Sequence, residues 1–221
     1  MSTPSAVPES HPFPPQYLDD VFTEPEASVD TLANLGPLAG LAGSWEGESG
    51  VDTHPQADGA HTDRFVERWD FEPIDPQTNG PQLLYGLRYH QHITRPGEVE
   101  TFHDQVGYLL WEPATGNVFM TLAIPRAQVA LAGGTASADA RSFQLRAVVG
   151  DPHFGISTAP FLDAAFHTPS WEITFRIVDA EHIAYFQTTM LAVHGQEELF
   201  AHTDANRLHR VAAPAANPAS R

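Results

Sequence analysis

The stretch "QLLYGLRYHQH", Gln82–His92, alternates strictly. Leu83, Tyr85, Leu87 and Tyr89 fall on one face of an extended chain, and Leu84, Gly86, Arg88 and His90 fall on the other. A period of two is a strand signal, and the same signal recurs to either side. "RFVERWDF" (64–71) precedes it, with an alternation that leaves its inward face open, because Glu67 sits between Phe65 and Trp69. "FHDQVGYLLW" (102–111) follows and stops at the turn signal "EPATGN" (112–117). Then come "VFMTLAIP", "AQVALAGG", "SFQLRAVVG", "WEITFRIV" and "HIAYFQTTMLAV", and a last strand in "ELFAHTDANRLHRV" (198–211). Turns are short and evenly spaced. No helix–strand alternation and no dinucleotide fingerprint occur, which argues against α/β folds.

About eight to ten antiparallel strands allow a sandwich or a closed barrel. Several strands carry polar residues on both faces. A dry core would make each inward polar group costly, whereas a barrel of this size encloses a cavity where such groups meet ligand or water. The expected fold is therefore all-β, a ten-stranded antiparallel calycin-like barrel with a ligand cavity.

Three regions are expected. Residues 1–31 form a Pro-rich acidic arm: the first thirty hold six prolines, six acids and no Lys or Arg. Residues 32–212 form the barrel domain. Residues 213–221 form a tail. "VDTLANLGPLAGLAG" (29–43) leads into the first strand as a short helix or turn, since Pro37 and its glycines forbid a long helix.

The 221 residues carry a net charge of −17 with no lysine and no cysteine. The acidic surface repels nucleic acid and anionic membranes. The missing residue types exclude Schiff-base lysine chemistry, phosphate-loop lysines, thiolate catalysis, and Cys-ligated zinc, haem or iron–sulfur centres. No basic residue precedes Arg64 and no apolar run is long enough to span a bilayer, so a cytoplasmic location is expected.

Several stretches resemble the nitrobindin-like haem-binding proteins. "LAGLAGSWEGESG" (38–50) is similar to their opening strand, which carries Gly-x-Trp-x-Gly-x-Gly. Gly43, Trp45 and Gly47 match, and Ser49 replaces the last glycine. "VGYLLWEPATGNV" (106–118), "GGTASADARSF" (133–143) and "HTDANRLHRV" (202–211) follow the same plan. The resemblance spans roughly 35–212 and is strongest to the longer bacterial, fatty-acid-binding-protein-like branch. It implies a ten-stranded barrel, haem b held by one proximal histidine near the C-terminus, and isomerisation of peroxynitrite to nitrate at ferric iron. "VDTHP" at 51–55 departs from the family's proline-threonine order on the distal side.

On this resemblance His202 is the expected iron ligand. By strand parity it shares a face with Phe200, Asp204, Asn206 and Leu208, and a one-residue slip would turn it out. Asp204 and Asn206 suggest a polar network with it. Trp45, Tyr85, His103, Phe200 and Asn206 complete the expected cofactor-binding set. His90 and His92 share a face as a possible metal pair without a third ligand. His54 and His61 bracket a polar surface excursion. The Phe-rich segment 148–171 reads as a lid over the mouth or as a homodimer contact. Arg88, Arg126 and Arg146 stand on strands, and an inward one would read a carboxylate.

Three functions follow: a barrel for haem b or a similar hydrophobic ligand, with nitric oxide or peroxynitrite chemistry if haem binds; a non-catalytic carrier of a fatty acid or other small amphiphile; or an interaction protein whose barrel is filled by its own side chains.

Overall fold

The structure is a computed structural model and describes residues 17 and 19–216. Most of the arm, residues 1–16 and 18, and the tail end 217–221 lie outside the described residues. Twelve strands run β1 (Gly43–Gln56), β2 (Gly59–Pro73), β3 (Gln77–Asn79), β4 (Gln82–Thr94), β5 (Thr101–Glu112), β6 (Asn117–Ile124), β7 (Gln128–Thr135), β8 (Ser142–Val148), β9 (Ile156–Thr158), β10 (Phe166–Ile177), β11 (His182–Val193) and β12 (Phe200–Ala212). Two helices accompany them, α1 (Thr31–Asn34) and α2 (Pro160–Ala165).

Neighbouring strands follow the order β2-β1-β12-β11-β10-β8-β7-β6-β5-β4, and β4 pairs back onto β2. Ten antiparallel strands thus close into a barrel, which removes the open edges a flat sheet would leave. The short β3 and β9 lie on β4 and β7.

β4 faces as its alternation predicts. Tyr85, Leu87 and Tyr89 are buried in the barrel, and the same face continues through Gln91 and Ile93. β2 settles the face left open by the sequence: Phe65, Glu67, Trp69 and Phe71 all point inward, so a glutamate stands in the interior. In β1 the pairing with β2 slips between Gly47 and Gly50. Trp45 and Gly47 are buried before this bulge, and Gly50 and Asp52 after it, so the inward parity changes from odd to even.

The two ends of the barrel differ. At the base, α1 and the 3₁₀ turn Gly36–Leu38 form a plug, with Leu35, Leu38 and Leu41 fully buried. Trp45, Trp69, Phe71, Leu87, Leu109 and Phe175 fill the space above it. The lower barrel is therefore filled by its own side chains, and the interior polar groups lie towards the other end. That end, the mouth, is bounded by the close of β1, the start of β5 and the start of β12.

The 148–171 segment is largely structured. It crosses the mouth rim from β8 to β10, places β9 beside β7, forms α2, and enters β10 at Phe166, earlier than the sequence suggests. β7 and β8 share a single ladder pair, Gly133 with Arg146. Phe154 closes this seam from outside: its ring lies where a Cβ on Gly133 would be and stands 6.2 Å from the Phe119 ring. No helix among the described residues is long and apolar enough to cross a membrane.

Candidate functional site

The polar half of the barrel holds two layers, each with its own hydrogen bonds. The deeper layer centres on Glu67, 5% exposed. Its Oε2 accepts hydrogen bonds from Trp69 Nε1 (2.8 Å), Gln91 Nε2 (2.9 Å) and the Tyr185 hydroxyl (3.1 Å), while Oε1 accepts one from Asn206 Nδ2 (2.8 Å). None of these donors is a cation. Burial pushes the Glu67 carboxyl up to about 7, against the four hydrogen bonds that favour its ionised form. Asn206 reaches Glu67 because Gly47 has no side chain: a Cβ there would stand 2.4 Å from Asn206 Nδ2. A glycine of the first-strand motif thus makes room for an interior hydrogen bond.

The upper layer lies at the mouth. His202 sits on the inward face of β12, and its Nε2 is 2.6 Å from Asp52 Oδ1 across the β1–β12 pairing. Asp52 Oδ2 is 2.8 Å from His54 Nδ1. Asp204 stands directly opposite Asp52 in register, accepts a hydrogen bond from Gln187 Nε2 (2.7 Å), and lies 3.7 Å from His202 Nε2. The His202 side chain is 28% exposed, whereas Asp52 is 1% exposed. The imidazole thus stands at the opening with a buried carboxylate behind it.

The electrostatics follow from this placement. Burial alone would raise the Asp52 pKa, but the hydrogen bond and charge of His202 outweigh it and hold the carboxyl below its ordinary value. Burial alone would lower the His202 pKa, but the Asp52 bond and the charges of Asp204 and Asp52 raise it. Burial lifts Asp204 to about 6. His103, at the start of β5, is pushed down to about 4 by burial and then by the Arg126 charge, so it is a neutral imidazole. Arg126, in the β6–β7 turn, acts electrostatically on both His103 and His202 and donates to the Phe102 carbonyl (3.0 Å).

The expected site residues divide between the two ends. His202 and Phe200 share the inward face of β12 at the mouth, Phe200 opposite Leu191 on β11. His103 stands near them, and Asn206 lies one layer below. Trp45 and Tyr85 belong to the base. Trp45 donates to the Leu41 carbonyl (2.7 Å) under the Arg210 guanidinium, and the Tyr85 hydroxyl accepts from the Ser28 amide (3.0 Å). Seven residues of strand separate Trp45 from Asp52, about 20 Å, so Trp45 and Tyr85 support the fold and do not meet His202.

The expected polar network around His202 includes Asp204, with Asp52, His54 and Gln187 as further members, whereas Asn206 belongs to the deeper group around Glu67. His54 and His61 bracket an exposed segment as expected, and that segment is a tight hairpin into which β1 and β2 continue. The two face each other across that hairpin, with ring centroids 6.5 Å apart. His90 and His92 point outward to Asp104 and Thr101. Arg88 pairs with Glu72 outside the barrel, and Arg146 is exposed.

The sequence model of the THAP4-like, heme-binding beta-barrel domain matches residues 34–210. The chain belongs to that family. Among solved structures, this member of the THAP4-like haem-binding barrel family is similar to "Crystal Structure of Rv2717c from M. tuberculosis". The two are 25% identical with a TM-score of 0.56, over 81% of this chain and 96% of that one. No curated protein matches.

The mouth of this family member has donor chemistry that suits haem iron. An iron-bound histidine needs one ring nitrogen free and its other N–H held by an acceptor. His202 Nε2 is held by Asp52, and Nδ1 has no hydrogen-bond partner among the described residues. Leu191 and Phe200 supply apolar surface beside it. Because the base is filled by its own side chains, a large flat group is excluded from it.

Proposed function

We propose that the barrel mouth binds haem through His202, with Asp52 as the residue that holds and polarises the imidazole. The observation that carries this reading is the 2.6 Å contact between His202 and the buried Asp52, on the closing strand of a haem-binding-family barrel. Asp52 fixes the ring's orientation and keeps its proton on Nε2, which leaves the Nδ1 lone pair available. Leu191 and Phe200 exclude water from the ring's flank. Arg126 at the rim is placed to meet a ligand carboxylate. His103, neutral beside it, adds a polar group without a charge. When bound, haem supplies an iron with an open coordination position, the setting for the nitric oxide or peroxynitrite chemistry that the family resemblance implies.

The test is absorption. Protein made in haem-replete cells is expected to show a Soret band that His202→Ala removes. A wild-type protein without the band overturns the reading.

Carriage of a fatty acid or other small amphiphile is a second reading, favoured by Arg126 at the rim. It requires Arg126 and not His202. Displacement of a fluorescent fatty acid that survives His202→Ala and fails in Arg126→Ala would select it.

A further inference from the structure

The group of Asp52, His202 and Asp204 has a property that haem ligation does not use. Two carboxyl groups stand in direct register across β1 and β12, both in the barrel interior. Among the described residues, their ion-pair partners are the imidazoles of His54 and His202 alone. The chain offers no lysine. Asp204 is 10% exposed, and its Oδ2 accepts a hydrogen bond from Gln187. Its Oδ1 is turned towards His202 Nε2, 3.7 Å away, and its carboxyl is also in hydrogen-bonding contact with that of Asp52. Two buried carboxyl groups in such contact need a shared proton or a cation between them.

We propose that Asp52, His202 and Asp204 bind a divalent transition-metal cation of the zinc class directly, without a porphyrin. One ligand atom from each residue lies within 4.8 Å of the others. A tetrahedral ion at about 2.1 Å from each ligand spaces them about 3.4 Å apart. The observed separations of 2.6 Å (His202 to Asp52) and 3.7 Å (His202 to Asp204) bracket that spacing, so side-chain rotation closes the site. One imidazole and two carboxylates form a mixed nitrogen–oxygen set suited to zinc or a similar borderline ion, not to copper(I). Two carboxylates and one dication also sum to zero charge, which suits their burial. His54, on the other oxygen of Asp52, orients that ligand from behind. The solvent-facing side of His202 leaves a fourth position for water.

This site is separate from the haem reading in what it requires. Haem needs His202 and its support from Asp52, whereas the cation also needs Asp204. Tag-free protein, stripped with chelator and freed of haem, is titrated with Zn²⁺ by calorimetry and with Co²⁺ by visible absorption. One equivalent of Zn²⁺ is expected to bind, and Co²⁺ is expected to give the intense d–d bands of a four-coordinate ion. Asp204→Asn, which preserves shape, should weaken binding by more than ~100-fold, beyond the loss expected for an outer-shell partner. Asp52→Asn should do the same. Absence of Zn²⁺ binding to the wild type overturns the proposal, as does unchanged affinity in a folded Asp204→Asn protein. The Soret measurement on unstripped protein is read independently, so either reading can fail alone.

Discussion

Asp52 and His202, 150 residues apart in the chain, meet at 2.6 Å across the seam between the first and last barrel strands. The contact forms only when the barrel closes, and it joins a buried carboxylate to a partly exposed imidazole. Asp52→Asn keeps the shape and removes the charge. It is expected to weaken haem retention by about 10–100-fold, the usual cost of losing the partner behind a metal-bound histidine. Haem transfer to an apo-globin acceptor measures this. Equal retention by the variant and the wild type would show that Asp52 has no part in holding the imidazole.

His202→Ala is expected to leave the barrel folded but less stable, because Asp52 loses its closest partner while 1% exposed. The expected cost is about 1–3 kcal/mol. Adding Asp52→Asn should restore part of it, and thermal melts of the four proteins in the double-mutant cycle give the coupling.

Glu67 makes stability pH-dependent with a definite sign. Its pKa is raised from 4.5 in the unfolded chain to about 7 in the barrel. Between these values the folded state holds a proton that the unfolded state has released. This contribution to stability is therefore complete below about pH 4.5 and is lost as pH rises through 7. The full shift corresponds to roughly 3 kcal/mol. Glu67→Gln removes the titrating group, so the gap between wild-type and variant melting temperatures should change between pH 5 and pH 8. A constant gap would mean that Glu67 keeps one charge state throughout.

Gly47→Ala tests the link between motif and network. The added methyl would displace Asn206 from Glu67, at an expected cost of about 1–3 kcal/mol. Denaturant titration of the variant measures it. A neutral result would show that Asn206 reaches Glu67 by another route.

Phe154→Ala should open the β7–β8 seam, which a single ladder pair joins. A loss of about 1–2 kcal/mol is expected for a partly buried ring. Amide hydrogen exchange should rise first around Gly133, Gly134 and Val148.

The strands were legible because their signals are local, whereas closure into a barrel came from the polar residues on both strand faces and from the family resemblance. Alternation in β4 and the turn at 112–117 need no distant partner to be read, and the short helical turns at 29–43 follow from its proline and glycines, though not their place as a plug. The site was legible only in part. Parity from Phe200 to Leu208 placed His202 and its polar neighbours correctly. Glu67 defeats the same reasoning, since an acid between aromatic residues breaks the polar-out rule unless its four donors are known, and those come from β2, β4, β11 and β12. Asp52 was hidden for another reason. Counting by twos from Trp45 puts Val51 and Thr53 inside, and only the bulge at Gly47–Gly50 reverses the result. Trp45 and Tyr85 were grouped with His202 because a barrel has two ends and alternation does not say which end a residue occupies.

That bulge makes the lining of the mouth depend on strand register as well as on residue identity. If the strand ran from Gly47 at its present length without the bulge, the acid at 52 and the imidazole at 54 would turn to the outside, with no substitution at either, and valine and threonine would line the opening. Removing one residue between Gly47 and Gly50 would instead restore regular alternation and keep both inside, so a one-residue gap at this point in a related chain is compatible with an intact site.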